Sequence, residues 1–261
     1  MTTTATRVRR VPRGFGRLLA TETRLFARDR GSVFFALAFP ALVLIGVGLV
    51  IPGMDTVITE PGPLQGYQTI VVMLPAVLAT AMATPALTTL PVTLATYREQ
   101  GILTRLSTTP MPPAGVLAVH LLIGVVAFVV AAAVAVALAA VVFGVPAPAS
   151  LLVTVLGLVL GAVAIFAVGL VVASRAGKGS TAQALGMLLY FPMLFFAGLW
   201  TPRPIMPDGV AAVAAWTPLG AASQAIEEGW FTTEVPWQQL AVLVLYAIVG
   251  LLLARRLFHW R

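Results

Sequence analysis

Charge is scarce in this chain. Only 10% of its 261 residues are Asp, Glu, Lys or Arg, against about 25% in soluble domains. Hydrophobic residues make up 59%, and several runs of roughly 20 or more residues carry no charge, the mark of membrane-spanning helices. The expected fold class is therefore all-α: a polytopic helical membrane protein. Cysteine is absent, which excludes disulfides, thiol catalysis and cysteine metal sites. The two histidines, His120 and His259, lie far apart, so no histidine cluster is expected to hold a metal.

A second absence is more selective. No Asp, Glu, Lys or Arg falls inside any of the six expected spans, at 33–51, 67–96, 114–143, 150–173, 181–199 and 237–254. Charges at mid-membrane cost at least about 2.5–3.5 kcal/mol and are kept where protons or ions are handled. Proton-coupled pumps, ion-driven carriers and voltage sensors lose support. His120 comes nearest, two turns from the end of its helix, and reads as a packing residue. Catalysis has no material either. Ala176-Gly177-Lys178-Gly179-Ser180 lacks the upstream glycine of a phosphate loop and has Gly179 where Ser or Thr should follow the lysine. The chain is not expected to be an enzyme, to carry a catalytic residue or to hold a cofactor.

What charge there is has a pattern. The net charge is +7, and eight of the sixteen basic residues fall in the first thirty positions: Arg7, Arg9, Arg10, Arg13, Arg17, Arg24, Arg28 and Arg30. Such juxtamembrane clusters mark the cytoplasmic side and its anionic lipids; aromatic interleaving is slight, so nucleic acid is not an expected partner. About thirty basic and polar residues precede the first apolar run, unlike a cleavable signal peptide. Arginine outnumbers lysine fifteen to one, which suggests a GC-rich bacterial genome.

Within 1–32, residues 14–30 read as an amphipathic interfacial helix, with Phe15, Leu18, Leu19, Glu22, Leu25 and Phe26 at three- and four-residue steps. The membrane domain is 33–254 and the tail 255–261. The second span holds Pro75, Pro85 and Pro91 and is expected to be kinked or partly unwound. Gly157 and Gly161 stand at GxxxG spacing in the fourth span, a pattern that permits close helix approach. Residues 200–236 hold five prolines and read as an external hairpin with short re-entrant or interfacial helices at 209–216 and 219–230. With both termini inside, fifteen of sixteen basic residues face the cytoplasm and only Arg203 lies outside, which sets the orientation.

One charged interruption, Tyr97 to Pro110, divides the second span from the third. An acid, two arginines, Gly101 and a terminating proline make a short amphipathic helix over 98–110. In a chain without an energy source, it is the expected attachment point for one.

The order of parts resembles the transmembrane subunit of the ABC type-2 exporter family, in particular bacterial drug-efflux permeases of the daunorubicin-resistance type. Three stretches carry the likeness: Arg17 to Arg24 with Arg28-Asp29-Arg30 and Phe39-Pro40; Glu99-Gln100-Gly101 through Thr109-Pro110, the most specific; and Phe196 to Pro202 with Met206-Pro207 and Thr217-Pro218-Leu219. Pro112-Pro113 and His120 depart from the basic residues common at those places, and Gly31 from a frequent proline. The resemblance implies a permease, in a bacterial plasma (inner) membrane, that pairs with a second permease subunit, same or homologous, and with a cytosolic ABC ATPase carrying ATP and Mg. On it, 98–110 is the coupling helix, with Glu99, Gly101, Leu103, Arg105, Leu106, Thr109 and Pro110 at the ATPase interface. Tyr190, Phe191, Phe195 and Phe196 are candidates for the substrate pathway. The implied function is export of a hydrophobic or amphipathic drug or lipid, as in multidrug efflux. The alternatives are an ATP-independent channel or facilitator, or a cell-wall polymer or glycolipid exporter.

Overall fold

The computed structural model describes residues 14–60, 64–109, 111–201 and 206–258. Arg7, Arg9, Arg10, Arg13, Pro110, Pro202, Arg203, Pro204, His259 and Arg261 lie outside them. In chain order the helices are α1 (Phe15–Arg28), α2 (Arg30–Val33), α3 (Phe39–Val50), α4 (Thr69–Thr84), α5 (Leu90–Glu99), α6 (Ile102–Leu106), α7 (Pro113–Phe143), α8 (Leu151–Arg175), α9 (Gly179–Phe196), α10 (Asp208–Ala214), α11 (Pro218–Phe231) and α12 (Trp237–Leu257). Among the described residues, five helical segments are long and apolar enough to cross a membrane: Thr69–Glu99, α7, α8, α9 and α12. The first apolar run is helical without a break from Arg30 to Val50, and its Pro40–Val50 part is a shorter apolar helix.

Two π-helical turns interrupt the α-helices, Phe34–Ala38 before α3 and Pro85–Thr89 between α4 and α5. Each ends just short of a proline, Pro40 or Pro91. A helical proline lacks an N–H and its ring collides with the carbonyl four residues back. Widening the preceding turn relieves that collision and keeps the chain helical. Where the prolines lead one to expect a kink or partial unwinding of the second span, the structure has a π-turn, and the helical path runs unbroken from Thr69 to Glu99.

Around α8 the other helices assemble: it packs on α12, α11, α7, α5, α4 and the second π-turn. Small residues make this possible. Gly157 of the GxxxG pair meets Ala225 and Ile226 of α11, and Gly161 meets Ala222 and Met82. The pair therefore serves packing within the chain, where small faces let backbones approach. In α7 the pattern is inverted relative to a soluble helix. Ala131, Ala132, Ala135 and Ala139 are buried, while Val126, Val129, Val130, Val134 and Val141 are exposed, as suits an apolar solvent outside.

Helix α11 is too short to span. Leu219, Ala221, Ala222, Ala225 and Ile226 are fully buried, among α8, α4, α12 and α9. Its start follows from local chemistry: the Thr217 hydroxyl accepts from Gly220 N at 3.2 Å, and Pro218 occupies the first turn, where a missing N–H costs nothing.

Candidate functional site

The second span ends in Tyr97-Arg98-Glu99, and the chain reverses at Gly101, whose φ is +69°. A β-carbon there is strained by about 1–2 kcal/mol. Helix α6 follows. Leu103 is fully buried in the chain's own core and Leu106 packs partly against it. Leu103 therefore anchors α6 inward, and the expectation that it offers an apolar contact to a partner does not fit its placement. Thr104, Arg105, Ser107, Thr108 and Thr109 are exposed. The hydroxyls of Ser107, Thr108 and Thr109 donate to the carbonyls of Thr104, Arg105 and Leu106 at 2.7, 2.8 and 2.6 Å. These bonds satisfy the orphan acceptors of a helix end and stiffen the turn.

Three consecutive side chains of α5 then fan out to three other helices, as residues about 100° apart must. The Tyr97 hydroxyl donates to Glu22 Oε2 of α1 at 3.0 Å. Arg98 donates from Nη1 to Ala173 O at 3.1 Å and also to Ala176 O. A cation there satisfies the carbonyls at the C-terminus of α8 and complements its dipole. The same guanidinium lies 5.6 Å over the Phe258 ring, just past α12. Glu99 is exposed but Oε2 accepts from Gly179 N, the first amide of α9, at 3.3 Å. The segment leading into α6 is thus tied to α1, α8 and α9.

Glu22 is the only buried residue of α1. Burial pushes its carboxyl above the ordinary 4.5, and the Tyr97 hydrogen bond offsets part of that. A carboxyl whose folded pKa is raised stabilises the fold fully below the unfolded pKa, and that contribution is lost as pH rises through the folded value. Wild-type protein is therefore expected to lose stability through this group as pH rises above the ordinary carboxylate range and through its raised folded value. Glu22→Gln keeps an acceptor for Tyr97 and is expected to flatten that loss, read by chemical denaturation across the range. Tyr97→Phe leaves a buried carboxylate without its donor and is expected to cost about 1–3 kcal/mol at neutral pH, measured the same way.

The candidate pathway residues sit on α9. Tyr190 hydrogen-bonds Thr84 Oγ1 at 3.0 Å and meets Phe191 edge to face. Phe191 and Phe195 are exposed on one side with Leu188. Phe196 turns toward Gln224 and Glu227, with which it lines a small cleft. These aromatics are not gathered into one site with α6, which lies at the other end of the span. Of the five spanning segments, α9 is the least apolar and also the least covered by its own chain.

Sequence reasoning placed Glu99 at a partner interface and missed its bond to α9. Tyr97 and Arg98 stand in the charged interruption, but their bonds to α1 and α8 are not legible in the sequence. His120 packs edge to face on Tyr97, centroids 6.0 Å apart. Its Nε2 is buried with no hydrogen-bond partner among the described residues. No group of three or more His, Asp or Glu able to hold a metal occurs among the described residues.

The fold is that of a multi-pass, all-α membrane protein. The family model of the ABC-2 type transporter matches residues 13–231, and the chain belongs to that family. The match takes in α1, the π-turns, α6 and α11, leaving only α12 beyond it. Membrane domains of this family are the permease component of ABC exporters, transport subunits and not catalytic ones. No curated protein matches the chain.

Proposed function

We propose that this chain is the permease subunit of an ATP-driven exporter, energised by a separate cytosolic ABC ATPase and paired with a second permease subunit. The cargo is a hydrophobic or amphipathic drug or lipid, as for drug-efflux permeases of the daunorubicin-resistance type. ATP and Mg belong to the ATPase. The membrane is a bacterial plasma membrane, with both termini and α6 in the cytoplasm and the α10–α11 hairpin outside.

The observation that carries this reading is the tethering of α6. Its outer face is exposed and polar, while the turn before it is bonded to α1, α8 and α9. A partner that grips Arg105, Glu99 and Thr109 and then moves displaces Leu103 in its socket and pulls on three helices at once. Coupling needs only that ATP-driven closure favour one arrangement of these helices over another. Helix α9 is the natural responder, held by Glu99 at its first amide and little covered elsewhere. Its exposed Phe191 and Phe195 suit a second subunit or a passing apolar cargo.

Inverted membrane vesicles test the proposal. Vesicles holding the chain with its ATPase are expected to accumulate a lipophilic dye only when ATP is present. Equal accumulation without the ATPase would favour a channel or facilitator.

A further inference from the structure

Beneath α1 lies a cavity of about 300 Å³ that the coupling path does not use. Its walls come from α1, the second π-turn, α5 and α7, with Phe166 of α8 at the back. Leu25 lines it and is itself 49% exposed, so the cavity is open at the α1 edge. The volume is at the lower end of drug-sized sites, about 300–1,000 Å³.

Beside the hydroxyls of Thr89, Thr93 and Tyr97, the charged groups in the wall are the carboxylates of Glu22 and Asp29, and no lysine or arginine is among the described lining residues. The arginines of α1, Arg17, Arg24 and Arg28, are exposed and absent from this wall. A carboxylate has about four lone-pair sites, and Tyr97 is the donor found on Glu22. The His120 ring lines the wall, while its Nε2 is itself closed off from the opening. Phe26, Tyr97 and Phe166 add aromatic surface, which attracts cations.

We propose that this cavity binds a lipophilic cation, its positively charged head at Glu22 beside the Tyr97 and His120 rings and its apolar body along Phe26, Ile123 and Phe166. Without a ligand, Glu22 carries the cost of burial that raises its carboxyl; a bound cation offsets it. Anions meet the Glu22 carboxyl and no lysine or arginine among the described lining residues, and a neutral lipophile brings no charge to offset the burial of Glu22. The inference deepens the export reading by naming a cargo class, and rests on that reading only for calling the ligand cargo. A free cationic amphiphile and a phosphatidylethanolamine headgroup share the required chemistry.

The test is equilibrium binding of rhodamine 6G to the full chain, without ATPase, in discs of phosphatidylglycerol and phosphatidylcholine. Saturable binding is expected, displaced by tetraphenylphosphonium and not by the size-matched anion tetraphenylborate. Glu22→Gln is expected to weaken it about tenfold or more, and Ile123→Trp, which fills the cavity without touching the charge, is expected to abolish it. Weaker dye binding in discs containing phosphatidylethanolamine would support the site and identify the lipid amine as its resident occupant. Undiminished binding in both variants, or equal displacement by tetraphenylborate, overturns the proposal. ATP-driven export that survives such a failure leaves the permease reading intact; binding without ATP-driven export refutes only that reading.

Discussion

Replacing Arg105 by glutamate is expected to abolish ATP-coupled export while leaving the chain folded in its membrane. Arg105 is exposed on α6, and its side chain has no hydrogen-bond or ion-pair partner among the described residues. The fold therefore does not depend on it, and stability should stay within about 0.5 kcal/mol of wild type. A docked ATPase would feel the change at once. Losing one charge-assisted hydrogen bond costs about 1.5–3 kcal/mol, or roughly 10- to 150-fold in a binding constant, and reversal adds repulsion. Pull-down of the ATPase and dye uptake by vesicles should fall together. Glu99→Ala is a less specific probe, because it also frees the first amide of α9. Combining it with Arg105→Ala mixes loss of docking with loss of the internal tie.

The largest loss of stability is expected at two glycines that hold the second π-turn. Pro91 leaves the carbonyl four residues before it, that of Leu87, without its helical partner. A β-carbon on Gly186 of α9 would collide with that oxygen, and one on Gly169 of α8 would collide with Ala86 O. The π-turn is thus seated between two notches, one on each neighbouring helix. Overpacking costs about 1–3 kcal/mol and sometimes more, and here the obstructing atoms are backbone, which cannot rotate away. Gly169→Val and Gly186→Val are each expected to fall at or above the top of that range. Thermal unfolding in detergent would measure it. Pro91→Ala restores an N–H for Leu87 O to accept, so Gly186→Ala is expected to be better tolerated in that background, a coupling that a double-mutant cycle reads directly.

Much of the fold was legible because membrane spans declare themselves by missing charge. The alanine–valine run of α7 and the glycine-spaced run of α8 needed no tertiary information. The prolines also signalled local distortion, though not its form. Whether a freed carbonyl unwinds a helix or is held in a π-turn depends on Gly169 and Gly186, some 80 to 100 residues away. The site was legible in outline only. Glu22 stood in the apolar register of α1, which hinted at burial, but Tyr97 lies 75 positions further on. Arg98 and Glu99 looked like one charged cluster, yet adjacent helical residues point apart and each serves a different helix. The resemblance puts Leu103 at the partner interface, and a helix of only five residues is too short for periodicity to show which side is covered.

The absence of cysteine from the sequence makes the decisive measurement clean. Thr104→Cys introduces a single thiol on the exposed face of α6 beside an intact Arg105, and a short bifunctional crosslinker applied to native membranes will capture what sits there. The account predicts one dominant adduct, a protein carrying the GxxxxGK[ST] phosphate loop of an ATPase, whose yield changes when ATP is added. An unmodified chain, in membranes where that ATPase is present and ATP-driven export proceeds, would contradict it.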